Sequence, residues 1–149
     1  MPTLDETIGM ALAIEKSNLP YIISFMVREN GTIPDGITLI NAMETVDNEV
    51  LEKPLCYMAN CVHPRIVKSA LELNDCQFVR ERFKGIQANA AYLSPEELDR
   101  PSETISSSAE VLANEMVLLR EGFPLKIYGG CCGTDDTHLY EFARRMKAL

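Results

Sequence analysis

Leu55-Cys56-Tyr57-Met58-Ala59-Asn60-Cys61, followed after two intervening residues by Pro64-Arg65-Ile66-Val67-Lys68-Ser69-Ala70-Leu71, is the stretch on which the fold turns. Its first part is short and mostly apolar, the pattern of a strand. Pro64 suits the first turn of a helix, where a backbone N–H has no partner in any case, and Ile66, Val67, Ala70 and Leu71 then recur at helical spacing. The unit reads as a strand running into a helix, with Cys61 at the strand's C-terminal end.

The same unit repeats on both sides. Upstream, Tyr21-Ile22-Ile23-Ser24-Phe25-Met26-Val27 predicts a first strand buried on both faces. Turn residues Asn30-Gly31 and Pro34-Asp35-Gly36 lead from it to Thr38, which caps a helix with Leu39, Ala42, Met43 and Val46 on one side. Ahead of that strand, Thr3-Leu4-Asp5-Glu6 has capping-box spacing, and a helix is expected from about Leu4 to Lys16. Downstream come a strand over Phe83 to Ala90, a helix start at Ser94-Pro95-Glu96-Glu97, and an amphipathic helix from Ser107 to Glu121 stopped by Gly122-Phe123-Pro124. Lys126-Ile127-Tyr128-Gly129-Gly130-Cys131-Cys132 is the expected fourth strand, and Thr134 to Leu149 a closing helix. The order α-βα-βα-βα-βα predicts an α/β fold with a parallel sheet covered by helices. Four parallel strands fit an open sheet or half of a closed barrel, and periodicity does not choose between them.

At 149 residues and 46% hydrophobic content, one domain spans the whole chain, 1–149. Its 14 basic and 22 acidic residues leave a net charge of -8, which repels nucleic acid and anionic membranes. The sequence holds no apolar run of the roughly 20 residues that span a bilayer, and Met1-Pro2-Thr3-Leu4-Asp5-Glu6 lacks the features of a signal peptide, so a cytoplasmic location is expected. Five cysteines, an odd count, read as reduced thiols or metal-bound thiolates rather than a disulfide framework.

Three of the five are placed for chemistry. Cys61 ends one predicted strand and Cys131-Cys132 another, and parallel α/β folds gather their ligand sites at the C-terminal strand ends. Adjacent cysteines in a regular strand point to opposite faces, so bringing Cys131 and Cys132 to one metal requires the backbone to leave β geometry, for which Gly129, Gly130 and Gly133 provide the freedom. Cys56 and Cys76 read as ordinary buried thiols. A vicinal redox pair at Cys131-Cys132 is the competing reading. His63 precedes Pro64 and reads as a loop-shaping residue, and His138 lies in the first turns of a helix; neither is needed where three protein ligands suffice.

Asn60-Cys61 and Gly129-Gly130-Cys131-Cys132-Gly133-Thr134 resemble the two zinc motifs of the homocysteine S-methyltransferase family, with Gln87-Ala88-Asn89-Ala90 in place of the asparagine-containing loop between them. The resemblance runs over essentially the whole chain and matches the last four βα units of that family. It implies half of a TIM-type (β/α)8 barrel preceded by a helix, and Zn2+ on Cys61, Cys131 and Cys132. The thiol of homocysteine would be the fourth ligand and the methyl acceptor, the donor a methylated onium compound or a methyl-carrying cofactor. On the same resemblance Asn60, Asn89 and Thr134 are the substrate-binding residues. A half-barrel leaves two strand edges open, so closure by a twofold homodimer or by a partner chain is expected.

Overall fold

Local sequence signals set the helix starts. Thr3 accepts from Glu6 N through its hydroxyl while the Glu6 carboxylate accepts from Thr3 N at 2.8 Å, closing the capping box that opens α1 (Leu4–Glu15). Thr38 caps α2 (Leu39–Glu49), and Pro64 occupies the first turn of α3 (Pro64–Leu73) behind a His63 cap. Ser108 caps α5 (Ala109–Gly122) one residue inside the expected start, and α6 (Asp136–Lys147) follows the cysteine pair. A six-residue helix, α4 (Gln77–Arg82), has no side-chain cap and is too short to show a period, so the sequence does not announce it. The computed structural model describes residues 3–93 and 107–147; the helix expected to begin at Ser94 lies outside them.

Four strands, β1 (Ile22–Phe25), β2 (Cys56–Val62), β3 (Phe83–Ala88) and β4 (Ile127–Gly130), form one parallel sheet in the order β1-β2-β3-β4. Strand order matches chain order, and right-handed crossovers between successive parallel neighbours put the connecting helices on the same face. That is the winding of a barrel wall, compatible with half of a (β/α)8 barrel, and unlike a doubly wound sheet it contains no reversal.

Alternation divides each strand between the two faces. Phe25, Tyr57, Ala59, Ile86 and Ala88 are buried beneath the helices. Phe25 stacks on Tyr57 with ring centroids 5.9 Å apart, and Tyr57 donates its hydroxyl to Asp47 of α2 at 2.7 Å. Asp47 also pairs with Arg82 of α4 at 3.0 Å, so this buried carboxylate is satisfied. On the other face the register aligns Ser24, Met58, Gly85 and Ile127 across the sheet. Met58 folds over Gly85, where a Cβ would lie 2.7 Å from its terminal methyl.

The expectation that β1 is buried on both faces does not hold, because Ile22 is 43% exposed. β1 is an edge strand, and Ile22 lies on its face away from the helices. Ile127, on the same face of the opposite edge strand, is 38% exposed. Among the described residues no helix is long and apolar enough to cross a membrane.

Candidate metal centre

β2 carries the first cysteine. It runs one residue past the expected Cys61 end, to Val62, and its register with β3 jumps from Asn60↔Gln87 to Val62↔Ala88. Cys61 is therefore an extra residue between two paired ones, a β-bulge, and its φ is 57°. A thiol-bearing residue in the left-handed region costs about 1 kcal/mol or more and persists only where its neighbours hold it. The ladder holds Asn60 and Val62, and Asn89 N donates to Val62 O at 3.1 Å just beyond it.

The paired cysteines arrive differently. β4 stops at Gly130, two residues short of the expected end, and Cys131 and Cys132 lie in the turn that follows. Of the three flanking glycines only Gly133 takes a positive φ, 74°. Gly130 serves close approach instead, since a Cβ there would overlap Thr134 Oγ1 and Cβ; at Gly129 a side chain meets ordinary contacts. The turn is pinned to the end of β3: Cys131 N donates to Ala88 O at 2.7 Å, Ala90 N to Cys132 O at 3.0 Å, and Cys132 N to the Asn89 side-chain oxygen at 3.1 Å. Residues 88 to 90 are thus a spine with one cysteine arm on each side.

The arms meet. Cys61 Sγ lies 3.5 Å from Cys132 Sγ, Cys132 Sγ lies 4.0 Å from Cys131 Sγ, and all three sulfurs fall within 4.8 Å of one another. Thiolates bound tetrahedrally at about 2.3 Å from one zinc ion sit about 3.8 Å apart, so these spacings fit that ion with small side-chain adjustments. Cys61 and Cys131 are half-buried and Cys132 is exposed, which leaves a way in for a fourth ligand. Burial, then the neighbouring thiols of Cys132 and Cys131, push the Cys61 thiol up to about 12. A cation is what would make this cluster anionic at neutral pH.

Asn89 is 1% exposed and ties the two arms. Its oxygen takes Cys132 N, while its Nδ2 is buried and meets no acceptor at hydrogen-bonding geometry among the described residues. That nitrogen is the donor through which Asn89 favours the charged form of Cys61, opposing the upward push of burial. A buried donor facing a sulfur that must become a thiolate also fits a metal-binding centre. Asn60 alternates with Ala59 onto the face away from the helices, and the Thr134 hydroxyl donates to Cys131 O at 2.7 Å. All six residues singled out in the sequence thus lie at the ends of β2, β3 and β4.

Both histidines stay off the sulfurs, as expected, but neither is a bystander. His63 is 3% exposed, accepts from Arg65 N at 3.3 Å, and packs its ring against the edge of Tyr92 at 5.3 Å; burial lowers its pKa to about 4, so it is neutral. His138 faces Asp135 Oδ1 at 2.6 Å and Ser107 O at 2.9 Å. The Ser107 carbonyl, with help from the Asp135 carboxylate, raises its pKa. Hydrogen bonds from Thr137 and His138 hold the Asp135 carboxyl below the usual range. Tyr92 and Arg65 are the residues that sequence reasoning missed: Arg65 lies over the Tyr92 ring at 5.3 Å and pairs with Glu115, while the Tyr92 hydroxyl donates to Glu29 at 2.9 Å. No local spacing marks them, because their contacts join three different connections.

Comparison with known proteins agrees with the geometry. Residues 1–146 match the family described as homocysteine S-methyltransferase. Among curated proteins, none matches the chain. With the match covering nearly every residue and the three sulfurs gathered at the ends of β2 and β4, this chain belongs to the homocysteine S-methyltransferase family.

Proposed function

We propose that the chain holds one zinc ion on Cys61, Cys131 and Cys132 and serves in methyl transfer to the thiol of homocysteine or a similar acceptor. The observation that carries this reading is the gathering of three sulfurs, remote in sequence, within 4.8 Å. Zinc bound there lowers the pKa of an adjoining thiol while three thiolates keep that sulfur electron-rich enough to accept a methyl group. The chain's own part is to present the sulfurs, to fix the Cys132 backbone through Asn89, and to offer the Asn89 amide to Cys61. We assign Asn60, Asn89 and Thr134 to contact with the substrate. The free thiols suit a reducing cytoplasm.

In this reading residues 1–149 are the metal-bearing half of a (β/α)8 barrel, and the outer edges of β1 and β4 await strands. Helix counting bears on what supplies them. α1 lies beside α2 on the β1 side and α6 against β4, so a second copy would bring two helices to each seam, where a closed ring has room for one. A complementary unit of four strands and three helices fits without that conflict, whether another segment of the same polypeptide or a partner chain supplies it. Residues 1–149 by themselves would then bind zinc without turnover.

Zinc content and solution mass, measured on anaerobically purified protein, test the metal and assembly claims; absence of stoichiometric zinc sinks the first. Methylated product from homocysteine and an onium or methylfolate donor would show that the isolated chain is active. Reversible thiol oxidation with little bound metal would instead favour a redox pair at Cys131-Cys132.

A further inference from the structure

We infer that Tyr92 is a positioning residue for the metal ligand Cys61, acting through His63 to hold the left-handed kink that turns the Cys61 sulfur toward the Cys131-Cys132 pair. The inference rests on the zinc reading above and adds a residue that touches none of the three sulfurs.

The ladder alone does not secure Cys61. Asn60 pairs with Gln87 and Val62 with Ala88, so β2 spends two steps where β3 spends one. Such a bulge relaxes if the chain beyond it slides by one residue, which would return Cys61 to an extended conformation and rotate its side chain to the opposite face. The first residue past the strand is His63, and it is the stop. Its Nδ1 accepts from Arg65 N at the start of α3, and its ring is 3% exposed.

The cover over that ring is Tyr92. The two rings meet edge to face with centroids 5.3 Å apart, a geometry in which the partially positive edge of one ring faces the π cloud of the other. Tyr92 is anchored in turn from two directions. Its hydroxyl donates to Glu29 in the connection after β1 at 2.9 Å. The Arg65 guanidinium lies 5.3 Å over its ring and pairs with Glu115 of α5. A side chain that is itself 47% exposed therefore joins the β1, β2 and β3 connections and closes them over His63. Removing the ring frees His63 to move, and the strain at Cys61 then drives the bulge to relax.

The experiment uses the full chain, cobalt(II) as a spectroscopic probe and zinc competition against a chromophoric chelator. Wild type should show sulfur-to-cobalt charge-transfer absorption of three thiolates. Tyr92→Ala should lose up to about a third of that intensity, as Cys61 leaves the metal in part of the population, and bind zinc about 10- to 100-fold more weakly, the range for residues that orient metal ligands and less than removal of the Cys61 thiol itself. Tyr92→Phe keeps the ring contact and should restore both readouts to near wild type. His63→Asn, which retains a capping oxygen and removes the ring, should reproduce the loss and serves if Tyr92→Ala does not fold. Full three-thiolate absorption and unchanged affinity in Tyr92→Ala or in His63→Asn overturn the inference and leave the zinc reading intact. A wild-type chain without the three-thiolate signature overturns both.

Discussion

Two arms carry the cysteines, and they solve the same problem in opposite ways. At the end of β2 a single thiol is turned inward by a bulge whose central residue, Cys61, stands at φ 57° with no glycine beside it. At the end of β4 two adjacent thiols are turned by a glycine-flanked loop in which Gly133, not a cysteine, takes the positive φ. The first arm stores strain in the ligand itself; the second passes it to a residue with no Cβ. Their electrostatic settings differ too, with a buried His63 whose pKa is lowered beside the strained arm and a His138 whose pKa is raised, paired with Asp135, beside the relaxed one. The β2 arm therefore needs its surroundings to hold a strained cysteine, whereas the β4 arm, pinned to the end of β3, carries no cysteine at positive φ.

The comparison vanishes if either arm loses its sulfur. Cys61→Ser, Cys131→Ser and Cys132→Ser should each lower zinc affinity by well over about a hundredfold, beyond what loss of an outer hydrogen bond causes, and leave less than stoichiometric metal after dialysis. Next in size is a test of the glycines within the β4 arm. Gly130→Ala should destabilise the metal-free chain by about 2–3 kcal/mol in urea melts, because the new methyl overlaps the Thr134 side chain. Gly129→Ala, which meets only ordinary contacts, should cost less than about 1 kcal/mol. Equal costs would mean that the arm is not shaped by close approach at Gly130.

The unequal legibility of the two arms has a physical origin. The β4 arm was readable because glycines flanking an adjacent cysteine pair report a backbone that must leave β geometry, although which glycine does what depends on Thr134 and was not. The β2 arm was readable only as a strand end. Asn60-Cys61-Val62 contains nothing that favours a left-handed residue at its centre, and the bulge arises from pairing with Gln87 and Ala88, a long-range fact. The parallel sheet was legible because strands buried among helices read as apolar runs; β1 misled at Ile22 because apolar composition does not say whether a strand is an edge. The Tyr92 clamp, tying three connections, has no local signature.

The histidines make the two arms separable by pH in the metal-free, reduced chain. His63 has a folded pKa of about 4 against 6.5 unfolded, so the unfolded chain binds a proton that the folded chain refuses. Its contribution is present above pH 6.5 and is lost as pH falls toward about 4, by roughly 3 kcal/mol. His138 has the opposite sign: its folded pKa is raised, so its contribution is complete below 6.5 and is lost as pH rises through the raised value. Denaturation between pH 4.5 and 8 should show both limbs. His63→Asn should flatten the acid limb only and His138→Gln the alkaline limb only; a single variant flattening both would mean that the arms titrate as one unit.

The smallest effect bears most directly on where strain resides. Cys61→Gly and Cys61→Ala both remove the thiol, so their difference in metal-free stability reports the backbone alone. At φ 57° alanine suffers the left-handed penalty and glycine does not, while glycine loses more chain entropy on folding. The penalty exceeds the entropy cost, and Cys61→Gly should be the more stable of the two by roughly 0.5–1 kcal/mol. Cys132 supplies the control, because it is not among the positive-φ residues. There the order should invert, Cys132→Gly being less stable than Cys132→Ala by a similar amount, since only the entropy term remains. The same order at both positions would place no strain in the β2 arm, and the need for a clamp over His63 would go with it.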